Sequence, residues 1–311
     1  MPHLFHRIGI VYNPFAGGLK GRNSVRLNDA VKVLETAGSD VELFATPGPN
    51  RAGELARRAA ETGCDLVLAA GGDGTINEAV NGLVGSRVTF GVLPSGTANV
   101  LANEIGLAAR PDHAARQLLD AVPARISLGS IERQGYERRY FLLMAGIGLD
   151  ARIVYELDLD LKARVGKLAY WHGGFRQFGR GMPRFTATVN GKEYSASFAL
   201  ITRVRNYGGD FEIARKIKLT DPDFEVVISQ KHEWVHFLRF VGAVMMNRLD
   251  RTDGVAITRA TEVCVAPPHG ETPDARIHIQ TDGEIAGVLP ATIGTLPDAL
   301  TLLVPRKYLD R

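Results

Sequence analysis

Residues 71–78 read Gly-Gly-Asp-Gly-Thr-Ile-Asn-Glu, with three glycines set around a single aspartate. Without side chains at Gly71, Gly72 and Gly74, backbone N–H groups can approach ligand oxygens that a Cβ would hold away. The stretch joins an apolar run, "LVLAA", to a helical pattern that begins near residue 75 or 76. Those amides would therefore sit at a helix N-terminus, where unpaired donors and the positive end of the dipole favour an anion. Phosphate is the natural guest. Asp73 in the same turn would repel phosphate unless a cation lies between them, which points to a metal-bound polyphosphate. Alone, the stretch also reads as a tight strand-to-helix turn capped by Thr75.

Three further loops follow apolar runs. "PSGTANVLANE" carries Pro94, Gly96 and Thr97; "VYNPFAGG" carries Asn13, Pro14, Gly17 and Gly18; "ATPGP" carries Thr46. In an open α/β sheet, ligands bind outside the carboxyl ends of the strands, so four such loops read as one nucleotide site. Neither the dinucleotide fingerprint nor the P-loop lysine pattern occurs, so recognition would rest on amides, threonines and a metal ion. A separate acidic pair, Asp282 and Glu284 in "QTDGEIAG", reads either as a β-turn tip or as a proton acceptor, and spacing does not choose between the two carboxylates.

The elements that must position these residues alternate from residue 7 to about 127. Strands are predicted at 7–12, 41–45, 65–70 and 89–93, with helices near 24–37, 51–62, 76–83, 98–105 and 112–121. The runs are apolar on both faces, the signature of a parallel sheet covered by helices. After about residue 128 the texture becomes antiparallel β, with a hairpin predicted over 185–189 and 193–201 around Asn190-Gly191. Helical insertions are predicted at 151–177 and 233–247. Two domains are expected, 1–127 together with about 300–311, and 128–299.

Hydrophobic residues make up 45% and charged residues 23% of the 311, the balance of a globular protein. A formal net charge of +3 is too small to imply a nucleic-acid partner. Cys64 and Cys264 are far apart in apolar runs and are expected as buried free thiols in a reducing cytoplasm. The N-terminus lacks a signal-peptide pattern, and no apolar stretch reaches the roughly 18 residues of a membrane span, so lipid contact is expected from the surface.

With these motifs together, "NP" at 13–14, "GGDGTINE" at 71–78, "PSGTANVLA" at 94–102, "AGIGLDA" at 145–151 and "TDGE" at 281–284, the sequence resembles the diacylglycerol kinase catalytic-domain family. Within it, the likeness is to soluble bacterial lipid kinases related to sphingosine and ceramide kinases. The resemblance implies an α/β nucleotide domain, a C-terminal β-sandwich, an active cleft between them, and a last strand near 300–304 that returns to the first domain. It also implies ATP and Mg²⁺, with a lipid alcohol as acceptor. ATP would be held by Asn13, Pro14, Thr46, Gly71, Gly72, Asp73, Gly74, Thr75, Asn77, Glu78, Gly96 and Thr97. The catalytic carboxylates would be Asp282 or Glu284 as proton acceptor, with Asp73 organising the metal.

Some such enzymes hold a structural Mg²⁺ on a loop that aligns with "KLTDPDF", making Lys218, Asp221 and Asp223 candidate ligands, although Pro222 replaces the usual glycine. Val100 is a further departure, standing where many members carry Asp. An NAD kinase shares the glycine-aspartate loop, and a nucleotide-binding regulator without catalysis is the alternative from another class. For the lipid, the candidates are "LAYWHGGFRQFGRGMPRF" (Tyr170, Trp171, Phe175 and Phe178 among Arg176, Arg180 and Arg184) and a stripe of Trp234, Phe237, Val241 and Val244, which also reads as core. The expected setting is the cytoplasm with transient contact at the inner face of the membrane; a homodimer is left open.

Overall fold

The computed structural model describes residues 5–14, 24–148, 151, 182–207, 211–214, 216–269 and 277–311. The chain divides into two units, Met1–Ile126 with Asp298–Arg311, and Ser127–Pro297.

The first unit runs β1 (Arg7–Tyr12), α1 (Ser24–Thr36), β2 (Asp40–Ala45), α2 (Ala52–Glu61), β3 (Leu66–Gly71), α3 (Asp73–Leu83), β4 (Thr89–Pro94), α4 (Val100–Ile105) and α5 (Pro111–Leu119). Its strands pair in parallel in the order β2-β1-β3-β4. β3 is buried along its whole length, so its side chains meet protein on both faces, as its unbroken apolar run requires. β2 departs from that expectation. As the edge strand it has one neighbour, and Asp40, Leu43 and Ala45 are exposed. α2 and α3 cross at Gly53 and Gly82, where a Cβ on Gly82 would lie 2.0 Å from the Gly53 carbonyl oxygen.

β5 (Val122–Glu132) leads into the second unit. There follow β6 (Arg139–Phe141), β7 (Met144–Gly148), β8 (Phe185–Val189), β9 (Lys192–Ala196), β10 (Phe198–Thr202), the short β11 (Asn206–Tyr207) and β12 (Phe211–Glu212), and β13 (Phe224–Ser229). Next come α6 (Trp234–Met245), β14 (Val255–Ala260), β15 (Glu262–Ala266), β16 (His278–Thr281), β17 (Glu284–Val288) and β18 (Ala291–Val304). One antiparallel sheet has the order β14-β13-β10-β7-β16-β17, and β9-β8-β15-β18 forms an antiparallel layer against it. Inward residues of both, among them Phe185, Val263 and Ile293 from one and Ile147, Ile201 and Val226 from the other, merge into one apolar core, which makes a β-sandwich. The last turns of β18 pair in parallel with β4 through Thr301 and Leu302, and α7 (Arg306–Leu309) closes the chain.

Three expectations are corrected here. The single strand predicted over 193–201 is two strands in two sheets, broken at Ser197, whose hydroxyl donates to the Lys231 carbonyl at 2.6 Å as the chain turns the corner. The hairpin turn itself has positive φ at both Asn190 and Gly191. Cys264 is exposed while Cys64 is buried, because β15 alternates and only Val263 and Val265 face inward. On α6 the buried residues are Phe240, Ala243 and Val244, so of the predicted stripe Val244 alone is buried; Trp234, Phe237 and Val241 are half-buried. The predicted helix over 151–177, apart from Ala151, lies outside the described residues, as do Tyr170, Trp171, Phe175, Arg176, Phe178 and Arg180. Among the described residues no helix is long and apolar enough to cross a membrane.

Candidate functional site

α3 begins at Asp73, earlier than predicted, so Gly72 alone separates it from β3. Thr75 is consequently inside the first turn and makes no capping bond from its side chain. That side chain instead folds back over Gly71, where an added Cβ would lie 2.6 Å from the Thr75 Cβ. The first helical bond runs from the Ile76 N–H to the Gly72 carbonyl at 3.1 Å. The amides of residues 73–75 are left outside the helix's own ladder, which is the donor set a phosphate would use.

The "PSGTAN" turn is fastened to this one. Ser95 donates its N–H to the Gly71 carbonyl at 3.0 Å, and a Cβ on Gly96 would sit 2.4 Å from the Gly72 Cα. Asn99, in the left-handed region with φ of 48°, closes the turn on itself by accepting the Gly96 N–H at 2.8 Å and donating to the Gly96 carbonyl at 2.9 Å. Asp73 Oδ1 accepts the Val100 N–H at 2.8 Å and so supplies the cap that α4 lacks from its own sequence. Thr97 stands exposed at the tip. Gly96→Ala is expected to force the turns apart, lowering stability by about 1–3 kcal/mol and abolishing ATP-dependent thermal stabilisation; a midpoint scan with and without ATP checks both.

The remaining predicted nucleotide residues serve different ends. The Asn13 N–H donates to the Ala70 carbonyl at 3.2 Å and the Thr46 N–H to the Tyr12 carbonyl at 2.9 Å, which brings both residues to the carboxyl end of the sheet, with Pro14 half-buried beside Asn13. Asn77 is buried in α3 and accepts the Asn81 amide on its side-chain and backbone oxygens. Glu78 gives one oxygen to the Asn50 N–H and the other to the Ala52 N–H, each at 2.9 Å. Its carboxylate is a clamp on the loop after β2 and the start of α2. Both residues were expected to hold ATP; the bonds seen here tie Asn77 to Asn81 within α3 and Glu78 to the start of α2.

In the second unit, Asp282 and Gly283 turn the chain between β16 and β17 with φ of 50° and 84°. The Asp282 carboxylate, 9% exposed, accepts three backbone amides: Leu142 on Oδ2 at 2.8 Å, and Leu143 and Met144 on Oδ1 at 2.9 and 3.0 Å. Three donors on one carboxylate fasten the turn to the start of β7. Glu284 faces outward, its side chain 44% exposed and Oε2 3.7 Å from Arg139 Nη2. The two acids differ in burial and in partners, Asp282 being buried against backbone amides and Glu284 half exposed beside Arg139.

The predicted metal loop does not fit a metal. Asp221 and Asp223 are both taken by the Arg259 guanidinium, with Nη2 2.9 Å from Asp221 Oδ2 and Nε 2.9 Å from Asp223 Oδ2. The Arg259 neighbour holds the Asp223 carboxyl below the usual carboxylate range. The Lys218 carbonyl, offered as a third ligand, accepts the Asp221 N–H at 3.0 Å. Among the described residues no three His, Cys, Asp or Glu side chains group as a metal site would.

A family model for the diacylglycerol kinase catalytic domain matches residues 7–131, and one for the YegS C-terminal NAD kinase beta sandwich-like domain matches residues 144–304. The chain belongs to the diacylglycerol kinase catalytic-domain family. Among its relatives, a diacylglycerol kinase of Bacillus subtilis (strain 168) is 29% identical over 98% of both chains. A diacylglycerol kinase of Mycobacterium tuberculosis (strain ATCC 25618 / H37Rv) is 28% identical over 98% of this chain and 97% of its own. A crystal structure of a diacylglycerol kinase from Bacillus anthracis str. Sterne shares the fold with a TM-score of 0.78, at 22% identity, covering 98% of this chain and 99% of that one.

Within this kinase-family fold, sequence reasoning missed the residues that hold the site residues in place. Asn99 was visible only as a letter inside "SGTAN", yet an asparagine one step before a helix is a standard signal for a left-handed turn. Arg203 directly follows the apolar strand β10 and is fully buried; a lone arginine just after such a run signals a buried cation in need of partners. Arg259 gave no signal, since its register opposite β13 is a tertiary fact.

Proposed function

We propose that this protein is an ATP-dependent lipid kinase acting on the hydroxyl of diacylglycerol or a related lipid alcohol. The observation that carries the proposal is the pair of glycine turns, joined by the Asp73 bond to Val100, which offers a ready-made set of amides to phosphate. The names of the relatives support a lipid acceptor over NAD.

The amides of residues 73–75 and the Thr97 hydroxyl would hold the phosphates of ATP, with Mg²⁺ supplying charge neutralisation. The lipid hydroxyl oxygen forms a bond to the γ-phosphorus as the bond to the β–γ bridging oxygen breaks, and ADP departs. The hydroxyl proton passes to the Glu284 carboxylate, which is exposed enough to meet a substrate; Asp282 holds the turn that presents it. Such a transfer asks mainly for alignment and charge neutralisation, which fits a site built from backbone amides.

The lipid end of the reading rests on α6. Val235, Leu238 and Met245 fall at helical spacing and are 52%, 42% and 62% exposed, beside Met246 at 64%, with Arg239 and Arg248 exposed among them. Apolar residues interleaved with arginine suit a headgroup boundary, so the enzyme would work from the cytoplasm at the inner face of the membrane.

Phosphate transfer from labelled ATP to diacylglycerol in mixed micelles, and separately to NAD, tests the function. Labelled phosphatidic acid with unlabelled NAD is the expected result. Label on NAD alone makes this an NAD kinase, and label on neither acceptor, nor on other lipid alcohols, leaves a nucleotide-binding regulator.

A further inference from the structure

The loop from Lys216 to Phe224 carries two carboxylates on either side of a proline, an arrangement that calls for a cation. Two guanidinium groups of the same chain already fill that need. Arg259, on β14 opposite Glu225 of β13, forks onto the side chains of Asp221 and Asp223 and also donates to the Lys216 carbonyl. Arg203, at 0% exposure, reaches the backbone of the same loop, donating to the carbonyls of Leu219 at 2.9 Å, Asp221 at 2.8 Å and Asp223 at 3.2 Å. Carbonyl and carboxylate oxygens converging on a centre are the usual surroundings of a hard divalent cation. Here, two positive charges face two negative ones, and the oxygens point at N–H groups.

We infer that Arg259, backed by Arg203, is the built-in counter-ion of this loop, so that the second unit holds its shape without a divalent metal. An arginine does this permanently: it stays charged at every accessible pH, its planar fork matches two carboxylates, and it cannot be chelated away. Any Mg²⁺ requirement of the protein would then belong to the nucleotide alone. Ser127 also bonds this loop, donating its N–H to the Leu219 carbonyl at 3.1 Å and its hydroxyl to the Asp221 carbonyl at 2.9 Å.

The test is thermal unfolding of the full chain without nucleotide, in excess EDTA and in rising Mg²⁺, Mn²⁺ or Ca²⁺, so that its result is independent of the lipid-kinase reading. The wild-type midpoint is expected to stay constant across the series. Arg259→Ala should unfold about 5–10 °C lower in EDTA, and Arg259→Lys, which keeps the charge without the fork, should fall between the two. A wild-type midpoint that climbs saturably with the cation, and stops doing so in Asp221→Asn, would overturn the inference by placing a metal on this loop. An Arg259→Ala protein as stable in EDTA as the wild type would overturn it equally. Should Arg259→Ala fail to fold, the wild-type and Asp221→Asn titrations still decide.

Discussion

Glu284→Gln is expected to lower turnover by about 10²–10⁴-fold, the usual worth of a positioned general base, while the melting midpoint and ATP affinity stay near wild type. Glutamine keeps the size of the side chain and removes the carboxylate that the proposed function makes the proton acceptor, and the side chain, 44% exposed, is open to solvent that can satisfy the amide put in its place. Asp282→Asn should behave in the opposite way. Three amides converge on that carboxylate, and an amide group in its place sets N–H against N–H for at least one of them. The expected cost is about 2–5 kcal/mol of stability, read as a lowered denaturation midpoint, with turnover falling as the turn loosens. If Asp282→Asn kept its midpoint and lost turnover while Glu284→Gln stayed active, the two roles would be exchanged. Steady-state rates and urea melts on the two variants separate these cases.

Arg203→Met is expected to destabilise the second unit by about 3–5 kcal/mol. Methionine fills much of the arginine stem's volume, so little of the loss would be cavity formation. What disappears is the charged donor set that meets the carbonyls of Leu219, Asp221 and Asp223, together with the guanidinium 5.6 Å from the centre of the Phe224 ring. Chemical denaturation with an unchanged slope and a lowered midpoint is the expected readout. A midpoint within error of wild type would show that these carbonyls find other donors and that Arg203 is dispensable.

The parallel strands and their helices were legible in the sequence because unbroken apolar runs, helical periodicity and glycine turns are local properties. β3 and the helix after it declare themselves through "LVLAAGGDGT" alone. β2 was misjudged because its composition is that of a buried strand, while its exposure depends on having no neighbour on one side. The break at Ser197 was invisible for a similar reason: the alternation continues through it, and only the second sheet tells the chain where to bend. For the candidate site, residue type gave the chemistry and geometry divided the labour. Glycines 71, 72 and 96 were recognisable as places where a backbone must be approached, but part of what approaches them is the protein itself. Glu78, expected among the residues that hold ATP, also clamps two elements together, a tertiary role no local pattern shows, since its two amide partners lie 26 and 28 residues away.

The contact between Gly72 and Gly96, fixed by the aspartate that caps the neighbouring helix, also bears on the kinetics of nucleotide capture. Surfaces already frozen in their binding shape lose little freedom when a guest arrives, so association should be quick and nearly independent of viscosity-sensitive loop closure. On the proposed function, discrimination among nucleotides would then be set by the base and sugar, because turns tied together in this way would meet every triphosphate alike.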